Sequence, residues 1–254
     1  MTLKAENAGE LILPPNFDEV LDVCLVEASE LNAMSKNTEK YYVDGYPDLL
    51  VRYNPGDLFT DVQAAINAAR QLRVHGVNVL PSEVIEHEGD TFVVTKIVTG
   101  SSAIDALQNS SDPTLIHEVD LTLTGITTNL VLQRNVGKLI PEDIDSPHQY
   151  VRGTIEDSSI PKLWLVDLPQ YSRDPKDREV FADQCLYIAN GIVDVEKLTG
   201  TPLLLARREL DQAVKFVDLT DPWRLKLKHA VSYVLELGVR LYPLGDAEEI
   251  DDLF

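Results

Sequence analysis

The sequence predicts an α+β protein in which strands and helices are segregated. An N-terminal antiparallel sheet carries one helix, and a mainly helical part follows. Three observations support this. Two β-rich runs, Lys40–Val43 and Leu49–Tyr53, flank Asp44-Gly45-Tyr46-Pro47, and Asp-Gly is a strong hairpin signal. A second β-rich pair, Leu80–Glu86 and Thr91–Val98, closes on His87-Glu88-Gly89-Asp90. Beyond residue 100 the apolar spacing becomes helical over long stretches. This order lacks the strand–helix alternation of a doubly wound parallel sheet.

The elements follow in sequence. Asn54-Pro55-Gly56-Asp57 stops the second strand. A helix near Thr60–Val74 comes next, with Val62, Ala65, Ile66, Ala69 and Leu72 on helical spacing. Asp57 or Thr60 caps its start, and Gly76 ends it. After the second strand pair, Gly100 is expected at a strained crossing between two lobes, the single crossing near Val98–Ser102. Ser101 or Ser102 caps a short helix through Leu107. Pro113 to Leu139 reads as helix despite Thr122, Thr124, Thr127 and Thr128. A small hairpin, Val151–Ile155 with Leu163–Val166, precedes helices over Lys176–Leu198, Pro202–Val217 and Pro222–Leu241. The expected division is a β-rich lobe over residues 1–99 and a helical lobe over residues 100–254.

Composition excludes several function classes. The chain has 254 residues, 44% hydrophobic and 25% charged, as globular proteins do. Against 22 Lys plus Arg stand 42 Asp plus Glu, a net charge of -20. Such a chain repels phosphate backbones and anionic lipid, so neither nucleic acid nor membrane is expected as a partner. Cys24 and Cys185 stand outside any metal-binding spacing and read as two buried free thiols. No secretory leader is evident at the N-terminus, and no stretch of about 18 apolar residues occurs, so the expected compartment is the cytoplasm.

The landmarks and their order resemble the protein-kinase-like superfamily, closest to its aminoglycoside and choline phosphotransferase branch. The resemblance spans about residues 38 to 240. It rests on LRVHGVNVLPSEVI (Leu72–Ile85), FVVTKIVTG (Phe92–Gly100) and LWLVDLP (Leu163–Pro169). These look like the helix end with its following strand, the hinge strand, and the strand carrying a metal-binding aspartate. The implied fold is bilobal, and the implied cofactors are ATP and magnesium.

The chemistry is degenerate under that resemblance. Phosphoryl transfer relies on positioning and charge compensation. In LLVRY, Arg52 takes the place of the phosphate-binding lysine, or it is a solvent-facing strand residue. The helix offers Asp61 and Gln63, neither at the place of the lysine's partner glutamate. Counting back without gaps from Asp167 puts Gln149 at the catalytic aspartate and Thr154 at the metal-binding asparagine. A shift of one residue puts Tyr150 at the aspartate. A loop acid, Asp143, Asp145 or Asp157, is a further candidate base. Asp167 is either a magnesium ligand or a turn residue before Pro169. The resemblance places Arg52, Lys96, Val98 and Thr154 at the nucleotide. No glycine-rich loop precedes Tyr41, and Glu30 stands where one would be.

Other residues have plainer expected roles. His75 and His87 read as turns, and Trp164 and Trp223 as core. His148, Tyr150 and Arg152 form either a small polar cluster or a stabilised loop. The tail Gly245–Phe254, five of whose ten residues are acids, reads as a solvated end or a docking peptide. Three functions remain. The chain is a pseudokinase-like scaffold binding an unidentified protein partner or a small molecule, a divergent ATP-dependent phosphotransferase acting on a small molecule or protein, or an unrelated α+β protein.

Overall fold

Asp44 and Gly45 turn the chain back on itself, with Gly45 at φ 81°, a region glycine enters without strain. The computed structural model describes residues 11–29, 39–53, 62–109, 112–141, 144–155, 160–166, 172–216 and 220–241. The turn is tighter than expected, because Val43 already pairs with Tyr46. It joins β2 (Glu39–Val43) to β3 (Tyr46–Tyr53). Pro47 lacks an N–H for the ladder, and the register shifts at Tyr42/Val43 beside it.

β1 (Leu25–Glu27), β5 (Ser82–His87) and β6 (Asp90–Lys96) complete a five-stranded sheet in the order β1-β2-β3-β6-β5. Every neighbouring pair is antiparallel, as expected. Glu88 and Gly89 both have positive φ, which suits a two-residue turn between twisted strands.

Side chains alternate between the two faces of this sheet. Val43, Leu49, Val51 and Val94 form one small core with Phe17 and Leu21 of α1 (Phe17–Val23) and with Leu11. Val93, on the other face, joins a much larger core with α2 (Val62–Leu72). Asp57, Thr60 and Asp61 lie outside the described residues. α2 ends in a 3-10 turn, Arg73–His75, closed by Gly76 at φ 83°.

The expected single crossing is corrected by β4 (Asn78–Val79). This strand belongs to a second sheet, where it runs parallel to β10 (Lys162–Leu165). That sheet has the order β4-β10-β9-β7, with β7 over Thr99–Ser102 and β9 over Tyr150–Thr154. The chain therefore enters the helical part at β4, returns for β5 and β6, and enters it again at β7. The cause is apolar surface. Val77 and Val79 share one buried cluster with Leu72, Leu163 and Leu165.

Gly100 is needed for a reason other than the expected strain, since its φ is not positive. It pairs with Gly153 across β7 and β9. A methyl group at Gly100 would overlap the Arg152 carbonyl oxygen, and one at Gly153 would overlap that of Thr99. The paired glycines let these backbones meet.

The helical part begins with α3 (Ala103–Asn109) and α4 (Pro113–Val136). Asp112 caps α4 by accepting the Thr114 N–H. The threonines do not break α4, because their hydroxyls bond back one turn. Thr124 donates to the Asp120 carbonyl, Thr127 to Leu123 and Thr128 to Thr124. α5 (Arg178–Thr199), α6 (Leu204–Phe216) and α7 (Asp221–Leu237) complete the layer. One buried cluster runs from Val62 in α2 through α4 and α5 to Val234 in α7. Among the described residues, no helix is long and apolar enough to cross a membrane.

Candidate functional site

Of the residues singled out by the resemblance, Arg52 and Gln149 come together where the two sheets meet. Arg52 is opposite Val93 on β3 and β6, so it shares the face that turns toward α2. Its guanidinium donates from Nη2 to the Val166 carbonyl at 2.6 Å. The Val166 N–H in turn donates to the Gln149 carbonyl at 3.0 Å. Arg52, Val166 and Gln149 thus form one chain of bonds between the sheets. Of the two readings of Arg52, the solvent-facing one is set aside. Asp167 itself, the next residue, lies outside the described residues, as do Glu30, Asp143 and Asp157.

Helix α2 does not supply a partner glutamate. Its described residues include no acid, and Gln63 bonds Asn67 on its own helix. The charge on α2 is positive instead. Arg70 donates to the Ser82 carbonyl at 2.6 Å and pairs with Glu83 of β5 at 2.7 Å. Arg73 donates to the Val79 carbonyl at 3.0 Å. Both arginines fasten α2 to the chain around β4 and β5, and a backbone carbonyl receives Arg52.

The loop before β9 is built around burial. Ser146 accepts the His148 N–H, and Pro147 to Gln149 form one 3-10 turn. Gln149 is the residue immediately before β9, whereas Thr154 is its last. Five strand residues span about 16 Å at about 3.3 Å each, so the place of the base and the place of the metal-binding asparagine are far apart. Thr154 pairs with Thr99, beside Val98, whose side chain closes over Gly153. The expected group is therefore divided. Arg52 and Gln149 stand at one end of β9, Val98 and Thr154 at the other.

Lys96 belongs to neither end. Its ammonium forms an ion pair with Asp48 of β3. That bond is the main cause holding the Asp48 carboxyl below its usual range. The backbone N–H groups of Lys96 and Ile97 are also engaged, by the Pro81 and Asp48 carbonyls.

The two remaining candidate bases face inward. Tyr150 is buried and donates its hydroxyl to the Ile144 carbonyl at 2.7 Å. Burial, reinforced by the nearby Asp145 carboxylate, pushes its phenol far above the ordinary value. Asp145 is also buried, and it lines a small cavity with Ala103, Val119, Leu123 and Val195 beneath the loop. α5 comes against this loop because residue 191 is glycine. A methyl there would overlap the Asp145 carbonyl oxygen.

Of the two readings of His148, Tyr150 and Arg152, the small polar cluster does not form. Tyr150 points inward, His148 is exposed, and Arg152 pairs with Glu118 of α4 while donating to the Pro161 carbonyl. Cys185 is buried as expected, and burial raises its thiol pKa, but Cys24 is only half-buried. Trp164 is core. Trp223 is half-buried beneath Arg178, whose guanidinium carbon is 4.7 Å from the ring centre.

Among the described residues, no three His, Cys, Asp or Glu side chains are grouped to hold a metal ion. Of the two metal-binding positions that the gap-free alignment implies, Thr154 is the last residue of β9 and Asp167 lies outside the described residues. Sequence reasoning missed the Val166 carbonyl and Asp120. The first carries no side-chain signal. The second is an acid on the buried stripe of α4, next to Val119 and near Leu123, and that placement was readable. No protein-family model and no curated protein matches this chain.

Proposed function

We propose that this chain is a kinase-like protein with a degenerate catalytic apparatus, acting as a pseudokinase-like binding or scaffold protein. The observation that carries the reading is the Arg52 bond to Val166. The cation at the place of a phosphate-binding lysine is engaged by the protein's own backbone. Its role is to join the sheets. Gln149 brings a neutral amide where an anionic base would orient a hydroxyl, and Tyr150 and Asp145 are turned into the core. ATP with magnesium binds weakly or not at all in this reading, and the partner is a protein or a small molecule.

Thermal-shift titration with ATP and magnesium, followed by a phosphate-release assay, tests it. The expected result is little shift and no turnover. Turnover abolished by Asp167→Ala would replace this reading with a divergent phosphotransferase. One observation favours that second reading: Arg52 reaches the residue next to Asp167, so a cation lies near that carboxylate's place in the chain.

A further inference from the structure

A polar hollow lies away from the junction, between the C-terminal ends of α3 and α5 and the first turns of α4. It encloses about 580 Å³, within the range of about 300–1,000 Å³ usual for small-molecule sites. Its floor is Asp120, which is 8% exposed. The two carboxylate oxygens accept the Ala206 N–H at 2.8 Å and the Leu205 N–H at 3.2 Å, so Asp120 caps α6. A carboxylate has about four acceptor sites, which leaves about two for another donor.

The rest of the wall divides into two kinds of surface. Leu107, Pro113, Ile116 and Leu198 are apolar, whereas Gln108, Asn109, His117, Thr199 and Thr201 carry neutral amides, an imidazole and hydroxyls. Thr199 is engaged with the Val195 carbonyl and the Thr201 N–H. Asn109 donates to the Asp105 carbonyl, and among the described residues no hydrogen bond engages its amide oxygen. The side chains of Gln108 and His117 make no hydrogen bond or ion pair with the described residues either.

The ligand class follows from charge. Among the described residues lining the hollow there is no lysine or arginine, so nothing there compensates a phosphate or carboxylate. The Asp120 charge already faces the N-terminal N–H groups and dipole of α6, which reduces its pull on a cation. What remains is an array of donors and acceptors interspersed with apolar side chains. Hydroxyls on one edge of a ring and C–H groups on its face match that array. We propose that this hollow binds a small neutral polyol, a monosaccharide or cyclitol, with its hydroxyls on Asp120, Asn109 and His117 and its C–H face on Ile116 and Leu198. The site is independent of the reading given for the junction.

Titrating the full chain with myo-inositol or D-glucose, followed by amide NMR, tests the proposal. At about 50 mM a ligand of millimolar Kd is nearly saturating. The expected result is movement of the Gln108 and Asn109 side-chain amides and the Thr201 backbone amide, and weakening of about tenfold in His117→Ala. Ile116→Trp fills the hollow and should abolish the movement. If that variant fails to fold, Asn109→Leu, at an exposed helix end, carries the same test. No movement with either polyol would overturn the proposal, as would unchanged movement in the filled variant. Stronger movement of these amides by ethanolamine or inorganic phosphate would overturn the ligand class.

Discussion

The junction between the sheets and the hollow beside α4 hold their polar groups differently. At the junction the candidate side chains are already engaged by the protein itself. Arg52 bonds Val166, and Tyr150 bonds the Ile144 carbonyl. In the hollow, Gln108, His117 and the Asn109 amide oxygen remain open among the described residues. A polar residue satisfied internally mainly stabilises the fold, while one left open at a concave surface is available to a ligand. A residue at a familiar position in the chain need not keep the familiar task.

The largest expected effect that sharpens this contrast is at the glycine pair. Gly100→Ala or Gly153→Ala forces backbone apart and should cost about 3 kcal/mol. At about 2–4 °C per kcal/mol, the melting temperature falls by about 6–12 °C. A neutral result by calorimetry would mean that β7 and β9 are able to separate.

Arg52→Ala should be next, at about 1–3 kcal/mol, because it leaves the Val166 carbonyl without its charged donor. Urea denaturation measures this. Destabilisation with no change in nucleotide response supports a structural arginine, and unchanged stability with lost nucleotide binding contradicts it. Thr201→Val in the hollow should fall within about 0.5 kcal/mol, as exposed substitutions do. A larger loss in denaturant would place the hollow among the structural regions.

The smallest effect is a pH dependence. Lys96 holds the folded Asp48 carboxyl below its unfolded value of about 3.9. The folded state therefore binds this proton less readily. Its contribution is present above that pH and is lost as pH falls through the folded value. Asp48→Asn should flatten that part of the acid limb in a pH series of melting temperatures, by a modest amount because the pair is partly exposed.

Much of the fold was legible in the residues alone. Asp44-Gly45, Glu88-Gly89 and the alternating apolar runs placed the first sheet, because turn chemistry and strand period are local. The helices of the second part followed from apolar spacing, and Ser102, one of the two caps named for the first of them, accepts the Asp105 N–H. The second sheet was not legible as such. β4 has only two residues, and its partner, β10, is more than 80 positions away. No local pattern reports that pairing. At the site, Arg52 was found from its place in LLVRY, but its partner is a backbone carbonyl. Gln149 and Thr154 were separated because strand length, unlike residue spacing in a loop, converts directly into distance.

The double passage of the chain into the helical part bears on how this molecule tolerates dissection. A cut near residue 100 follows the sequence boundary but not the buried cluster. Val62, Ile66, Ala69 and Leu72 belong to the interior that ends at Val234, and Val79 pairs with Leu165. A fragment of residues 1–99 would carry that apolar helix face into water and leave β4 without its neighbour, so it should aggregate when expressed alone. The complementary fragment would keep its helices but lose one wall of its interior. The workable unit for expression, tagging or fusion is therefore the undivided chain.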